Sequence, residues 1–157
     1  KDSMQINDTL IYKTENGRTV YGGGGIVPDY FVPYDTSHNS AYLNALFTSN
    51  TLAEYALSYA TANEKYLKEL GLQKFISDYQ ISTQQLREIQ LQADKNGVVF
   101  NPSQFELSKD RMQLLIKAYI GRRIWKSEGF YPIYNIGDEI FIHAKTLFDQ
   151  SDPLIPY

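Results

Sequence analysis

Thr14-Glu15-Asn16-Gly17-Arg18-Thr19-Val20-Tyr21-Gly22-Gly23-Gly24-Gly25-Ile26-Val27-Pro28-Asp29-Tyr30-Phe31-Val32 is the stretch from which the architecture of this chain is read. Before it, Leu10, Tyr12 and Thr14 alternate with Ile11, Lys13 and Glu15, the two-residue period of a strand. Thr19, Val20 and Tyr21 resume strand character after Asn16-Gly17. Asn-Gly between two such runs predicts a hairpin, because both residues tolerate the positive φ of a type I′ turn. Four glycines then lead into Ile26-Val27-Pro28-Asp29 and the apolar run Tyr30-Phe31-Val32-Pro33, a further predicted strand.

After Asp35 the period becomes helical. Leu52, Tyr55, Ala56 and Tyr59 fall on one face, and Tyr66, Leu67 and Leu70 continue it to Gly71, a predicted C-cap. Thr83 is the predicted cap of a helix carrying Leu86, Ile89 and Ala93, which Asn96-Gly97 ends. Ser103 or Ser108 opens the next, with Met112, Leu115, Ile116 and Tyr119 on one face. Asp138 and Glu139 start a last helix in which Ile140, Ala144 and Leu147 align beside Phe141 and Phe148. The tail Asp152-Pro153-Leu154-Ile155-Pro156-Tyr157 cannot prolong it. The expected fold class is α+β, mostly α. Residues 1–36 supply a hairpin and strand, and residues 37–157 supply a helical domain.

Composition narrows the possible functions. Hydrophobic residues at 43% and charged residues at 21% belong to a globular chain. Thirteen tyrosines suit half-buried seams and contact surfaces, where a ring is covered and its hydroxyl stays wet. A net charge of −3, with only Arg122, Arg123 and Lys126 clustered, argues against nucleic-acid binding. No run approaches the roughly 18 apolar residues of a membrane span. The absence of cysteine removes disulfides, thiolate metal sites and cysteine nucleophiles.

The common catalytic patterns fail one by one. No glycine precedes a lysine, so a phosphate-binding loop is ruled out, and Val27 stands where a dinucleotide fingerprint needs its third glycine. His38 and His143 lie far apart, and neither has a second ligand at metal spacing. Asp138-Glu139 reads as helix-start charge, and Arg122-Arg123 as a solvated or salt-bridged face. No serine follows a glycine, so no nucleophile turn is present.

The segment from Thr14 to Val32 resembles the end of the protease core in S41 (carboxyl-terminal processing) serine peptidases. There a strand, a Ser/Asn-Gly-Arg turn, a glycine-rich step and Gly-Ile-x-Pro-Asp lead into an apolar strand. The Val-Tyr-Gly-Gly-Gly-Gly-Ile form, Val20 to Ile26, is similar to envelope peptidases of Bacteroidetes-like bacteria. Ile116-Lys117-Ala118-Tyr119-Ile120-Gly121-Arg122-Arg123-Ile124-Trp125, Phe130 to Asn135 and Asp138-Glu139-Ile140 resemble the helical tail that follows that core.

The resemblance implies a parent endopeptidase that cleaves near protein C-termini with a Ser-Lys dyad. It puts the nucleophile turn, the lysine turn and a PDZ domain upstream of Lys1, which itself falls in an insertion before the glycine-rich step. No residue of this chain is assigned a catalytic, cofactor-binding or metal-binding role. The implied partners are the upstream protease core and PDZ domain, protein or peptide substrates acting through the parent, and a homo-oligomer. Asp2-Ser3-Met4 and Asp8-Thr9-Leu10 resemble a short O-glycosylation signal of Bacteroidetes envelope proteins, which points to a periplasmic setting. The rival readings are a stand-alone helical interaction module and a pseudo-peptidase segment.

Overall fold

A computed structural model describes residues 11–15, 17, 19–22 and 30–148. Both glycosylation-like tripeptides, Asn16, Arg18, the stretch 23–29 and the tail 152–157 lie outside the described residues. The fold is α+β and mostly α. A small antiparallel hairpin is followed by helices α1 (Ala41–Thr48), α2 (Thr51–Ala62), α3 (Glu64–Leu70), α4 (Leu72–Ser77), α5 (Thr83–Lys95), α6 (Pro102–Tyr134) and α7 (Glu139–Phe148). Residues 34–142 form one compact unit, and the described residues on either side belong to a second.

The hairpin joins β1 (Ile11–Lys13) to β2 (Thr19–Tyr21) in the register Ile11↔Tyr21, Tyr12↔Val20, Lys13↔Thr19. The connection is therefore five residues long and not the two-residue Asn-Gly turn expected. Gly17 donates its N–H to the Thr14 carbonyl and takes φ 78°, so the tight turn sits one residue early and a glycine in the left-handed region leads out of it. Residues 31–33 are irregular, so the expected third strand does not form. A strand exists only through a neighbour, and among the described residues this run has none.

The helical unit is built around α6, which packs against α1, α2, α3 and α4, while α5 lies on α2. On α2, α5 and α6 the predicted faces are the buried ones: Leu52, Tyr55 and Ala56, Leu86, Ile89 and Ala93, and Met112, Leu115 and Ile116. Tyr66, expected to continue the first of these faces, is instead exposed. The face running from Leu52 to Leu70 breaks at Asn63 into two helices, and Gly71 ends the second with φ 81°. Helix boundaries differ from expectation at two starts. Ser82, not Thr83, caps α5, in a capping box with Gln85. Asn101 caps α6 with Pro102 in its first turn, the position where a missing N–H costs least.

Ser108, expected as a possible cap, is instead buried inside α6. Its hydroxyl donates to the Ser40 hydroxyl at 2.6 Å, and Ser40 in turn caps α1 by accepting from Leu43 N–H. Gln104 Oε1 accepts from Tyr42 N–H, so two polar bonds pin the start of α1 to α6. Between α2, α4 and α5 runs a tyrosine seam. Tyr55 donates to Glu88 at 2.8 Å, Tyr55 stacks on Tyr59, and Tyr79 accepts from Gln85 while its ring stacks on Phe75.

The largest departure from sequence expectation lies inside α6. Lys126, at φ 57° and ψ −134°, is not helical, and it divides α6 into an outbound arm, 102–125, and a return arm, 127–134. An unbroken helix would carry Gly137 about 39 Å beyond Arg111. Instead Arg111 Nη1 donates to the Gly137 carbonyl at 3.3 Å. The arms form an αα-hairpin, closed where the backbones of Gly121 and Gly129 touch. Phe130 of the return arm lies parallel to Tyr119 at 6.1 Å, and Ile133 is fully buried.

Two measurements check this packing. A Cβ on either glycine would overlap the other's carbonyl oxygen. Gly129→Ala should therefore lower unfolding stability by about 1–3 kcal/mol in urea titration. The second concerns Tyr55, whose phenol is held far above its ordinary range, first by burial and then by its bond to Glu88. Above about pH 10 the unfolded chain releases this proton and the folded chain keeps it, so stability falls as pH rises. Tyr55→Phe should flatten that fall by at most about 1.4 kcal/mol per pH unit.

Candidate functional site

The polar groups that could do chemistry are scattered. His38, Asp35 and Ser37 come together on one exposed turn, with His38 Nε2 3.9 Å from Asp35 Oδ2. The Ser37 hydroxyl, however, donates to the Asp35 carboxylate, as does its backbone N–H. Those bonds from Ser37, the backbone one first, hold the Asp35 carboxyl below its usual range. A nucleophile must give its proton to a base, and here the serine is spent on a local turn instead. His143 is exposed on α7, with its ring edge-on to Tyr30 at 6.0 Å. Asp138 caps α7 by accepting from Phe141 N–H at 3.0 Å, the helix-start role expected of it. Among the described residues no group of three His, Cys, Asp or Glu side chains is placed to hold a metal. No helix among the described residues is long and apolar enough to cross a membrane.

A cleft of about 430 Å³ lies beside the α6 hairpin turn. Ala53 and Leu57 of α2 line one wall, and Tyr119, Arg122, Arg123 and Lys126 line the other. No carboxylate lines it, which makes it a local concentration of positive charge on an acidic chain. Arg122 and Arg123 are exposed, as a solvated face requires, and the Arg122 guanidinium also sits 5.0 Å over the Phe130 ring. Phe130 in turn stacks on Tyr134 at 5.1 Å, and Arg111 covers the Tyr134 ring at 5.4 Å. Two stacked rings, with an arginine over each, thus run along the seam between the arms. Sequence gave Arg122 and Arg123 as a pair, but their neighbours follow from a chain reversal that has no glycine or proline at its turn.

A smaller cleft of about 220 Å³ opens between Tyr79, Ile81, Asp110, Gln113 and Lys117. Its polar groups are structural. Lys117 Nζ donates to the Ile76 carbonyl at 2.8 Å, closing the end of α4, and Gln113 Nε2 donates to the Ile81 carbonyl at 3.1 Å. Burial pulls the Lys117 ammonium below its usual range. With the Ile76 carbonyl as its hydrogen-bond partner, it works as a cap.

Residues 42–126 match the model of a family of unknown function, DUF8443. The chain belongs to that family. The matched segment runs from α1 to Lys126 of α6 and takes in Tyr119, Arg122, Arg123 and Lys126 of one cleft and Asp110, Gln113 and Lys117 of the other. No curated protein and no solved structure matches the chain.

The capping role of Lys117 in this DUF8443 segment can be measured directly. Lys117→Met keeps the stem over Phe75 but removes the bond to Ile76, and should cost about 1 kcal/mol of stability. Thermal unfolding reads this, and an unchanged midpoint would remove the cap from the account.

Proposed function

We propose that this chain is the C-terminal, non-catalytic region of an S41-type serine endopeptidase of the cell envelope, in the periplasm. In this reading the parent's serine and lysine, and its PDZ domain, precede the residues described. The parent hydrolyses peptide bonds near protein C-termini through an acyl-enzyme. The helices buttress the protease core or build an interface for substrate or a second subunit.

The observation that carries the reading is the state of the hairpin. All of β1 is exposed, with Ile11 at 52% and Tyr12 at 57%, and Val20 of β2 is exposed as well. A two-stranded hairpin with apolar residues on its open faces is marginal alone and suits a pair of strands belonging to a larger sheet. The irregular run that follows carries Phe31 almost bare, at 82%. α7 buries none of its residues, although Ile140, Phe141, Ile142 and Phe148 lie along it. These are surfaces that a protease core would cover.

A second reading, a stand-alone interaction module, draws on the helical unit, which holds a complete core of its own in residues 34–142. Activity separates the two. The full-length polypeptide should cleave an unfolded protein such as casein and lose that activity when an upstream Gly-Ser serine is replaced by alanine. The isolated 157-residue chain should show no turnover. A full-length polypeptide lacking the Gly-Ser and Gly-Lys-Gly turns, or inert despite them, would leave the interaction module as the function.

A further inference from the structure

The α6 hairpin reverses on a single residue. We propose that it opens at Lys126 and that two copies of the chain exchange their return arms, forming an antiparallel dimer. This inference does not depend on the peptidase reading.

The hinge contains nothing that requires a turn. Ile124-Trp125-Lys126-Ser127-Glu128 holds neither glycine nor proline, and every one of these residues is tolerated within a helix. Lys126 alone leaves helical geometry, at φ 57° and ψ −134°, a conformation at which a side chain other than glycine is strained. Straightening the hinge removes that strain and lets the backbone hydrogen bonds of α6 run through it. A tight connection under strain is the setting in which one copy's element is exchanged for another's.

The contacts between the arms are symmetric in sequence. Gly121 meets Gly129, Tyr119 meets Phe130 and Leu114 meets Gly137, so each pair is centred on or close to residue 125. A second copy running antiparallel past the first meets each residue with the partner it already has. Every contact then forms twice about a two-fold axis near Trp125, the self-complementary geometry of a closed dimer. No new side-chain chemistry is needed. The dimer gives up the freedom of two separate chains and gains two relaxed hinges, so the balance moves with concentration.

Light scattering after size-exclusion chromatography of the whole chain reads the balance. The dimer fraction should rise with protein concentration and after refolding at high concentration. Lys126→Gly, which makes the closed turn comfortable, should weaken the dimer about tenfold. Because the chain has no cysteine, the double variant Leu114→Cys/Gly137→Cys reports the connectivity without background. In the dimer peak its disulfide should join two chains on a non-reducing gel, and in the monomer peak it should close within one. A chain that stays monomeric at every concentration overturns the proposal. So does a dimer whose disulfides remain within each chain, or one that Lys126→Gly leaves unchanged.

Discussion

The backbone contact between Gly121 and Gly129 is the constraint on which the helical unit turns. Helix axes ordinarily stand 8–10 Å apart because side chains separate them. Here neither residue has a side chain, and the two arms of α6 close to backbone distance. Two glycines within helical segments each cost about 1 kcal/mol relative to alanine. The closure they allow brings Phe130 and Ile133 into the core and delivers Gly137 to Arg111. It also imposes the strained backbone of Lys126, since the seven residues between the glycines must reverse the chain with nothing to spare. Without that contact, α6 would be a long rod with one face bare.

What was legible in the sequence follows from the range of each signal. The faces of α2 and α5 repeat over three turns, and Leu52, Tyr55, Ala56, Leu86 and Ile89 are buried as the period requires. Caps are read from single residues, which makes them easy to misplace. Ser82, Thr83, Ser103 and Ser108 all have suitable hydroxyls, and only the surrounding fold selects among them. Ser108 went into the core because Ser40 waits there with a hydroxyl to share. The reversal at Lys126 has no local signal at all. The only trace of it is a pair of glycines eight residues apart, meaningful once one knows that the chain folds back.

The candidate site obeys the same logic. Arg122 looks like half of a surface charge pair until Phe130 is brought beneath it, eight residues on and one reversal away. Cation–ring contacts of this kind are worth about 0.5–1 kcal/mol at exposed sites. Repeated at Arg111 and Tyr134, they help keep the return arm in register. The negative conclusions were easier to read, because a missing cysteine or a glycine run lacking its lysine is complete information at the level of sequence.

The two ends of the chain differ in what they require of a neighbour. A helical unit can close on itself, since each helix satisfies its own backbone and needs only one face covered. Residues 34–142 do this. A strand pair leaves two edges open, and β1 and β2 leave apolar faces open as well. α7 stands between these cases. Asp138 caps it and Glu139 suits its dipole, so the local signals are sufficient to start it. Ten residues are too few for a helix to persist on propensity alone, and none of its side chains is buried. Its amphipathic pattern was therefore a correct reading of a helix and an incomplete reading of its environment. Among the described residues Ile140, Phe141 and Ile142 stay exposed, so the helix is set by its own caps and charges and not by a buried face.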